Sequence, residues 1–415
     1  MKLPHPSLLL LGIILSIAVP SYSLDNWIRT NGGSNQSIYS LASYDGKLYA
    51  GLGWGSPNAT NRSIFSYDGN TWTVSYSGDD RVVFALAEYN GKLYAGLYGS
   101  HAGDGDVLVY DGSSWTVSYN STELGVGALA VYDGKLYAGY GSPTPDIMAF
   151  DGSSWQKAYD SVSPDSNVLS MAVYNGKLYA GFLRQDQWSR IRAYDGTNWT
   201  DAYTGYSGAG TFSLASYKGK LYAGFGTTTL QGVIMEYDGA SWKNSYNATA
   251  YDSYRELTVY NNKLYAGTTG SSGDGDVLVY DGTSWEKSYD GVTSEVQALA
   301  VHDRKLYAGT VMHSGGSTVW VMNPTTTTTT TTTSTSSTTT TTTSTTTSST
   351  TTTTSSTTST TQGTCRMPGN EPPCENVSLG EIIFAINEWV NGSMSLQGVI
   401  DLINSWANPA DYQPN

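Results

Sequence analysis

From about residue 24 to residue 323 the chain alternates apolar and polar positions in short runs, most of them closed by a turn signal. "VFALAEY" (83–89), "KLYAGLY" (92–98), "DVLVY" (106–110) and "SWTVSY" (114–119) form one such set. Period-two alternation with β-branched and aromatic residues predicts strands rather than helices. Asn90-Gly91 separates the first two runs and Asp111-Gly112 the last two. Both pairs tolerate the positive φ that tight hairpins demand.

The set repeats. "KLYAG" begins at Lys47, Lys92, Lys135, Lys177, Lys220, Lys263 and Lys305, spaced 42 to 45 residues apart. An aromatic-Asp-Gly-x-x-Trp motif ends at Trp72, Trp115, Trp155, Trp199, Trp242 and Trp285, one copy fewer. The missing copy lies at the other end, where "LDNWIRT" places Trp27 ahead of the first "KLYAG". Repeats of this length with four strands each are the signature of propeller blades, whose sheets bury their faces only against one another. The expected fold is all-β: a seven-bladed propeller over residues 24–323, closed by its N-terminal strand against Val319–Met322. Small residues in each first strand ("SLA", "ALA", "SMA") suit the axis, and the Tyr and Trp columns suit the wider rim. A sevenfold feature serves the framework, so the octet "YDGKLYAG" specifies shape.

The paired "GKLYAG" and "YDGxxW" signals resemble the kelch and galactose-oxidase-like seven-bladed propellers. That resemblance implies architecture and not activity, because propellers host many unrelated functions. A galactose-oxidase-like copper site resembles two His, two Tyr and a Tyr–Cys crosslink. Residues 24–323 hold no cysteine, and their three histidines, His101, His302 and His313, fall in different repeats. The "DGxxW" turn also resembles a sialidase Asp-box shortened by one residue, without a recognisable arginine triad. No enzyme is expected, and no cofactor.

The ends add context. Residues 1–23, with Lys2, an apolar core and "SYS", read as a secretory signal too short to span a bilayer. The formal charge of −14 argues against nucleic acid and anionic membranes. Secretion to the cell exterior or its surface is expected, with eight sequons at Asn35, Asn58, Asn61, Asn120, Asn198, Asn247, Asn376 and Asn391. Residues 324–364 form a Ser/Thr-rich stalk with 37 consecutive Thr or Ser, spanning roughly 110 Å if extended. Beyond it, 365–415 hold Cys365 and Cys374, a candidate disulfide. "SLGEIIFAINEW" and "SLQGVIDLINSW" then predict two amphipathic helices. A duplicated helix pair behind such a linker resembles a dockerin module, which implies docking onto a partner; its calcium ligands are not matched here.

Candidate chemistry therefore sits where the repeats disagree. The loops between second and third strands and between blades share one face of the disc, opposite the hairpin turns. Trp54, Tyr98 and Trp188 are aromatics outside the repeat columns on that side. Aromatic faces stack on sugars and anchor protein interfaces, although they also plug gaps between blades. Arg255 and Glu256 replace the aromatic, apolar or small residues of other first strands, with Gln297 the other polar exception. Arg255 and Glu256 are expected near the channel mouth, and together with the loop aromatics Trp54, Tyr98 and Trp188 they are the expected ligand contacts. Asp104 with Asp106, and Asp274 with Asp276, offer hard oxygens to Ca²⁺ without completing a loop. The favoured function is non-enzymatic recognition of a glycan or protein ligand. The alternative is a hydrolase or lyase acting on polysaccharide, with Glu256 among its carboxylates.

Overall fold

A computed structural model describes residues 26–323, apart from 35, 56–62, 79–80, 142–144, 162–164, 185–187, 208, 228–231, 271–274, 292–293 and 313–316. The chain divides into two compact units, Met1–Thr329 and Thr330–Asn415, and every described residue belongs to the first. The signal, stalk, paired helices, Cys365, Cys374, Asp274 and sequons Asn35, Asn58, Asn61, Asn376 and Asn391 lie outside the described residues.

The described residues are all strand and turn. After β1 (Asn26–Ser34), the first blade is β2–β5 (Gln36–Tyr44, Lys47–Gly55, Ser63–Tyr67, Trp72–Ser77). The second is β6–β9 (Val82–Tyr89, Lys92–Tyr98, Val107–Tyr110, Trp115–Tyr119). The third is β10–β13 (Val126–Tyr132, Lys135–Tyr140, Ile147–Phe150, Trp155–Tyr159). The fourth is β14–β17 (Asp165–Tyr174, Lys177–Arg184, Trp188–Tyr194, Trp199–Ser207). The fifth is β18–β21 (Ala209–Tyr217, Lys220–Thr227, Val233–Tyr237, Trp242–Asn247). The sixth is β22–β25 (Ser253–Tyr260, Lys263–Thr269, Val277–Tyr280, Trp285–Tyr289). The seventh has β26–β28 (Ser294–His302, Lys305–Met312, Ser317–Asn323), and β1 completes it in the order β1-β28-β27-β26. Trp27 pairs with Met322 and Ile28 with Val321, so the first strand closes the last sheet as the offset motif count requires. Ile38 and Leu48 of the first blade share one core with Tyr307 and Val319 of the seventh, which seals the ring.

The repeated letters act between blades. Each first hairpin turns through two positive-φ residues, such as Asn90 (49°) and Gly91 (67°). The tyrosine before that turn donates to the equivalent turn of the next blade: Tyr44 to Gly91 O at 3.0 Å, Tyr89 to Gly134 O at 2.8 Å, Tyr174 to Gly219 O at 3.1 Å. The tryptophan starting each fourth strand donates Nε1 to the fourth strand of the blade before. Trp115 reaches Ser75 Oγ at 3.0 Å, Trp72 reaches Thr30 Oγ1 at 3.2 Å, and Trp27 reaches Ser288 Oγ at 3.2 Å. Since Thr30 and Trp27 both lie on β1, the belt runs unbroken through the closure. The Asp-Gly turn before each Trp works by capping: one Asp111 oxygen accepts the Ser113 and Ser114 amides at 2.8 Å, and Gly112 alone takes positive φ. Those exposed carboxylates are held low, Asp111 to about 2, by the amides they accept. The "KLYAG" glycine permits close blade contact, since a Cβ on Gly96 would stand 2.5 Å from Val126 Cγ1.

Candidate functional site

The first strand of every blade contains one irregularity at the same place. Pairing of β2 with β3 slips between Ile38 and Ser40, and that of β6 with β7 between Val83 and Ala85. The same slip falls between Val126/Ala128, Val168/Ser170, Thr211/Ser213, Tyr254/Glu256 and Val296/Ala298. A bulge leaves one residue out of the ladder and re-aims its side chain. The seven bulged residues are Tyr39, Phe84, Gly127, Leu169, Phe212, Arg255 and Gln297, and all of them line one cavity of about 280 Å³. The next residues inward, Ser40, Ala85, Ala128, Ser170, Ser213, Glu256 and Ala298, line it too. First strands from all seven blades contribute, so the cavity is the central channel.

The backbone device is sevenfold and the chemistry is not. Tyr39 and Phe84 rings lie 5.0 Å apart, and Tyr98 continues the arc 5.3 Å from Phe84. On another arc the Arg255 guanidinium lies 4.0 Å over the Phe212 ring, within cation–π range. Burial pulls the Arg255 pKa down, while Glu295 opposes that pull. Gln297 donates Nε2 to Glu295 Oε2 at 3.0 Å. Arg255 Nε is buried without a hydrogen-bond partner. The serine hydroxyls of the waist are committed to backbone: Ser40 to Val83 O, Ser170 to Thr211 O and Ser213 to Tyr254 O, at 2.9 to 3.0 Å. Glu256 occupies this small-residue level. Burial pushes its carboxyl up to about 8, against a slight opposing pull from the Leu257 amide. Among the lining residues it is the one carboxylic acid.

The expected contacts thus part company. Arg255 and Glu256 line the channel, and Tyr98, a half-buried residue at the end of β7, flanks its aromatic arc. Trp188 opens β16, opposite Ser207, and is 44% exposed, but it does not line the channel. Trp54 lies within β3, with its side chain outside the described residues. All three sit on strand ends rather than in loops: Trp54 and Tyr98 because second-strand pairing continues past the repeated letters, and Trp188 because it opens a third strand that pairs with β17.

The acidic candidates are tied into the framework. Asp106 accepts Arg81 Nη1 at 2.6 Å and the Ser121 amide at 3.1 Å. Asp276 accepts Tyr251 Oη at 2.6 Å, Lys287 Nζ at 2.8 Å and the Gly291 amide at 2.9 Å. Both fasten the third strand to the loop after the fourth. Asp104 accepts the His101 amide at 2.7 Å. No group of three or more potential metal ligands occurs among the described residues. Sequons Asn120, Asn198 and Asn247 are exposed.

Sequence reasoning found the polar members of the bulge ring and missed Tyr39, Phe84, Leu169 and Phe212. The signal was the letter before each small-residue triplet, a column reading Y, F, G, L, F, R, Q.

No protein-family model matches the chain, and no curated protein matches it. Among solved structures, the chain is similar to one from the crystal structure of the mitotic checkpoint complex. Identity there is 16% and the TM-score 0.54, over 78% of this chain and 99% of that one. It is also similar to YCF48 bound to D1 peptide, at 12% identity and a TM-score of 0.50, over 72% of this chain and 97% of that one. At such identities the likeness speaks to the fold, which is propeller-like.

Proposed function

We propose that this protein is a secreted, non-enzymatic recognition propeller that holds a glycan or protein ligand at its channel mouth and loop face. One observation carries the reading: seven equivalent bulges present an unrepeating set of residues (Tyr, Phe, Gly, Leu, Phe, Arg and Gln) to a single cavity. A ring needed only for closure would repeat there as it does at the Trp belt. Aromatic faces with a few polar groups are the usual make-up of a binding pocket. The kelch and galactose-oxidase-like resemblance rests on turn chemistry and supports the scaffold alone. The similar YCF48 structure holds a peptide, which is in keeping with partner binding. Stalk and tail would present the propeller away from an attachment point, and Ca²⁺ is given no role.

A polysaccharide hydrolase or lyase remains the second reading, because Glu256 has the raised carboxyl of a general acid. Glycosidases of the common type need two carboxyls across a cleft, and the cavity lining offers Glu256 alone. The full chain should be screened against glycans and cell surfaces beside a Phe84→Ala, Phe212→Ala double variant. Ligand retention that falls about tenfold or more in the variant, without product formation, is expected. Unaltered retention would move the site to another surface, and released oligosaccharide would establish the enzyme.

A further inference from the structure

The channel holds an imbalance of hydrogen-bonding groups. Arg255 Nε is a buried donor with no acceptor. Glu256, the next residue on β22, lines the same cavity, and no cation forms an ion pair with it among the described residues. The neighbouring serines do not help, since their hydroxyls serve backbone carbonyls. Burial keeps the Glu256 carboxyl protonated at neutral pH, so it too is a donor. Arg255 cannot lose its proton and stays cationic. Two adjacent donors, one of them charged, face a cavity whose wall includes the Tyr39 and Phe84 rings. Bringing in a neutral apolar group would leave both unpaired, at the usual cost of buried orphans.

We propose that the channel receives a uronic acid unit of a glycan, its carboxylate accepting from the Arg255 guanidinium with one oxygen and from the Glu256 carboxyl with the other. The proposal rests on the glycan arm of the function given above. The Phe212 ring lies against the guanidinium, 4.0 Å from centroid to Cζ. Tyr39 and Phe84 offer ring faces to the sugar, as exposed aromatics do for pyranoses. A cavity of about 280 Å³ suits one monosaccharide unit rather than a folded segment. The polar and charged groups that share the cavity wall with Glu256 are Arg255 beside it, Gln297 on β26, Ser213 on β18, Ser170 on β14, and Tyr39 and Ser40 on β2, with Glu295 behind Gln297 as its hydrogen-bond partner. Glu295 and Gln297 are already bonded to each other, so the incoming carboxylate need not displace them.

The test is calorimetric titration of the full chain with methyl α-D-galacturonide, its uronamide and methyl α-D-galactoside at pH 7. The acid should bind about tenfold or more tightly than the amide, because charge-assisted bonds to a carboxylate are the stronger ones. Arg255→Gln should reduce acid binding to the level of the amide. Glu256→Gln keeps a donor and should hold acid binding within about threefold, whereas Glu256→Ala should weaken it by about tenfold. If amide and galactoside bind as well as the acid, the carboxylate proposal falls and glycan recognition stands. If none of the three binds and a glycan screen is also blank, both fall. The acid-to-amide comparison uses the unaltered protein, so a misfolded variant cannot obscure the answer.

Discussion

Blades two and six are near copies over their outer half and unlike at the axis. Both carry "GDGDVLVYDG". Trp115 and Trp285 reach Ser75 and Ser245 of the preceding blades at 3.0 and 3.1 Å. Asp106 and Asp276 each cap an amide fifteen residues on. Leu93 and Leu264 are both fully buried. The first strands, however, read "VVFALAEY" and "SYRELTVY". One blade places a phenylalanine on the bulge and an alanine behind it; the other places Arg255 and Glu256 there. In these two blades the outer three strands meet equivalent neighbours and keep closely similar residues, "KLYAG", "VLVY" and the strand-opening Trp. The axial bulge meets a shared cavity, where no repeat constrains it.

The strongest challenge to that division is to cut equal holes in both frameworks. Leu93→Ala and Leu264→Ala should each cost about 2–5 kcal/mol in chemical denaturation, and by similar amounts. Phe84→Ala at the bulge should cost far less, because its ring faces the cavity. A Phe84→Ala loss as large as that of Leu93→Ala would show that the bulge ring is packing after all.

Much of this arrangement could be read from the letters. The count mismatch between "KLYAG" and the Asp-Gly-Trp motif demanded that Trp27 complete the seventh sheet, and it lies opposite Met322. The hairpin turns followed from Asn-Gly and Asp-Gly, because positive φ is a local requirement. The bulge was not legible as a bulge. It is a slip between two strands, and a period-two reading of one strand registers it only as a broken alternation. Arg255 and Glu256 stood out since their chemistry was foreign to the column, while Tyr39 and Phe84 passed as ordinary strand aromatics. Trp188 drew attention by lying outside the columns, a criterion that says nothing about distance from the axis.

Glu256 sharpens the contrast through pH. Its folded pKa, about 8, is above its ordinary value of 4.5. Below 4.5 both states are protonated and nothing is lost. Between 4.5 and 8 the unfolded chain ionises while the folded one keeps its proton, so stability falls as pH rises, then levels off above 8. At about 1.4 kcal/mol per pH unit, a shift of that size has a ceiling of about 5 kcal/mol. The stability of the natural protein minus that of Glu256→Gln should decline through this window. A flat difference would mean that the carboxyl is well solvated, and the donor role given to it would lose its basis.

The smallest expected effect lies at the closure, where the framework itself departs from its rule. Six tyrosines donate to the turn of the following blade, but the seventh blade has His302, whose Nδ1 meets Ser43 Oγ at 2.9 Å. Its turn also places Arg304 at φ 56°, where most blades have glycine. An imidazole is too short to reach the Gly46 carbonyl that a tyrosine would find by analogy with Tyr44 and Gly91. His302→Tyr should therefore add about 0.5–1.5 kcal/mol by restoring the missing bond. Burial lowers the His302 pKa below its ordinary 6.5, so the unfolded chain takes up protons first as pH falls. Stability from the neutral ring is present above 6.5 and declines on acidification through the folded pKa. The advantage of His302→Tyr should accordingly widen between about pH 7.5 and pH 5 in denaturant melts. A variant less stable than the natural chain at both pH values would show that the His302–Ser43 contact is the better fastening. The closure would then be specialised, and the blades would differ at their ends as well as at their axis.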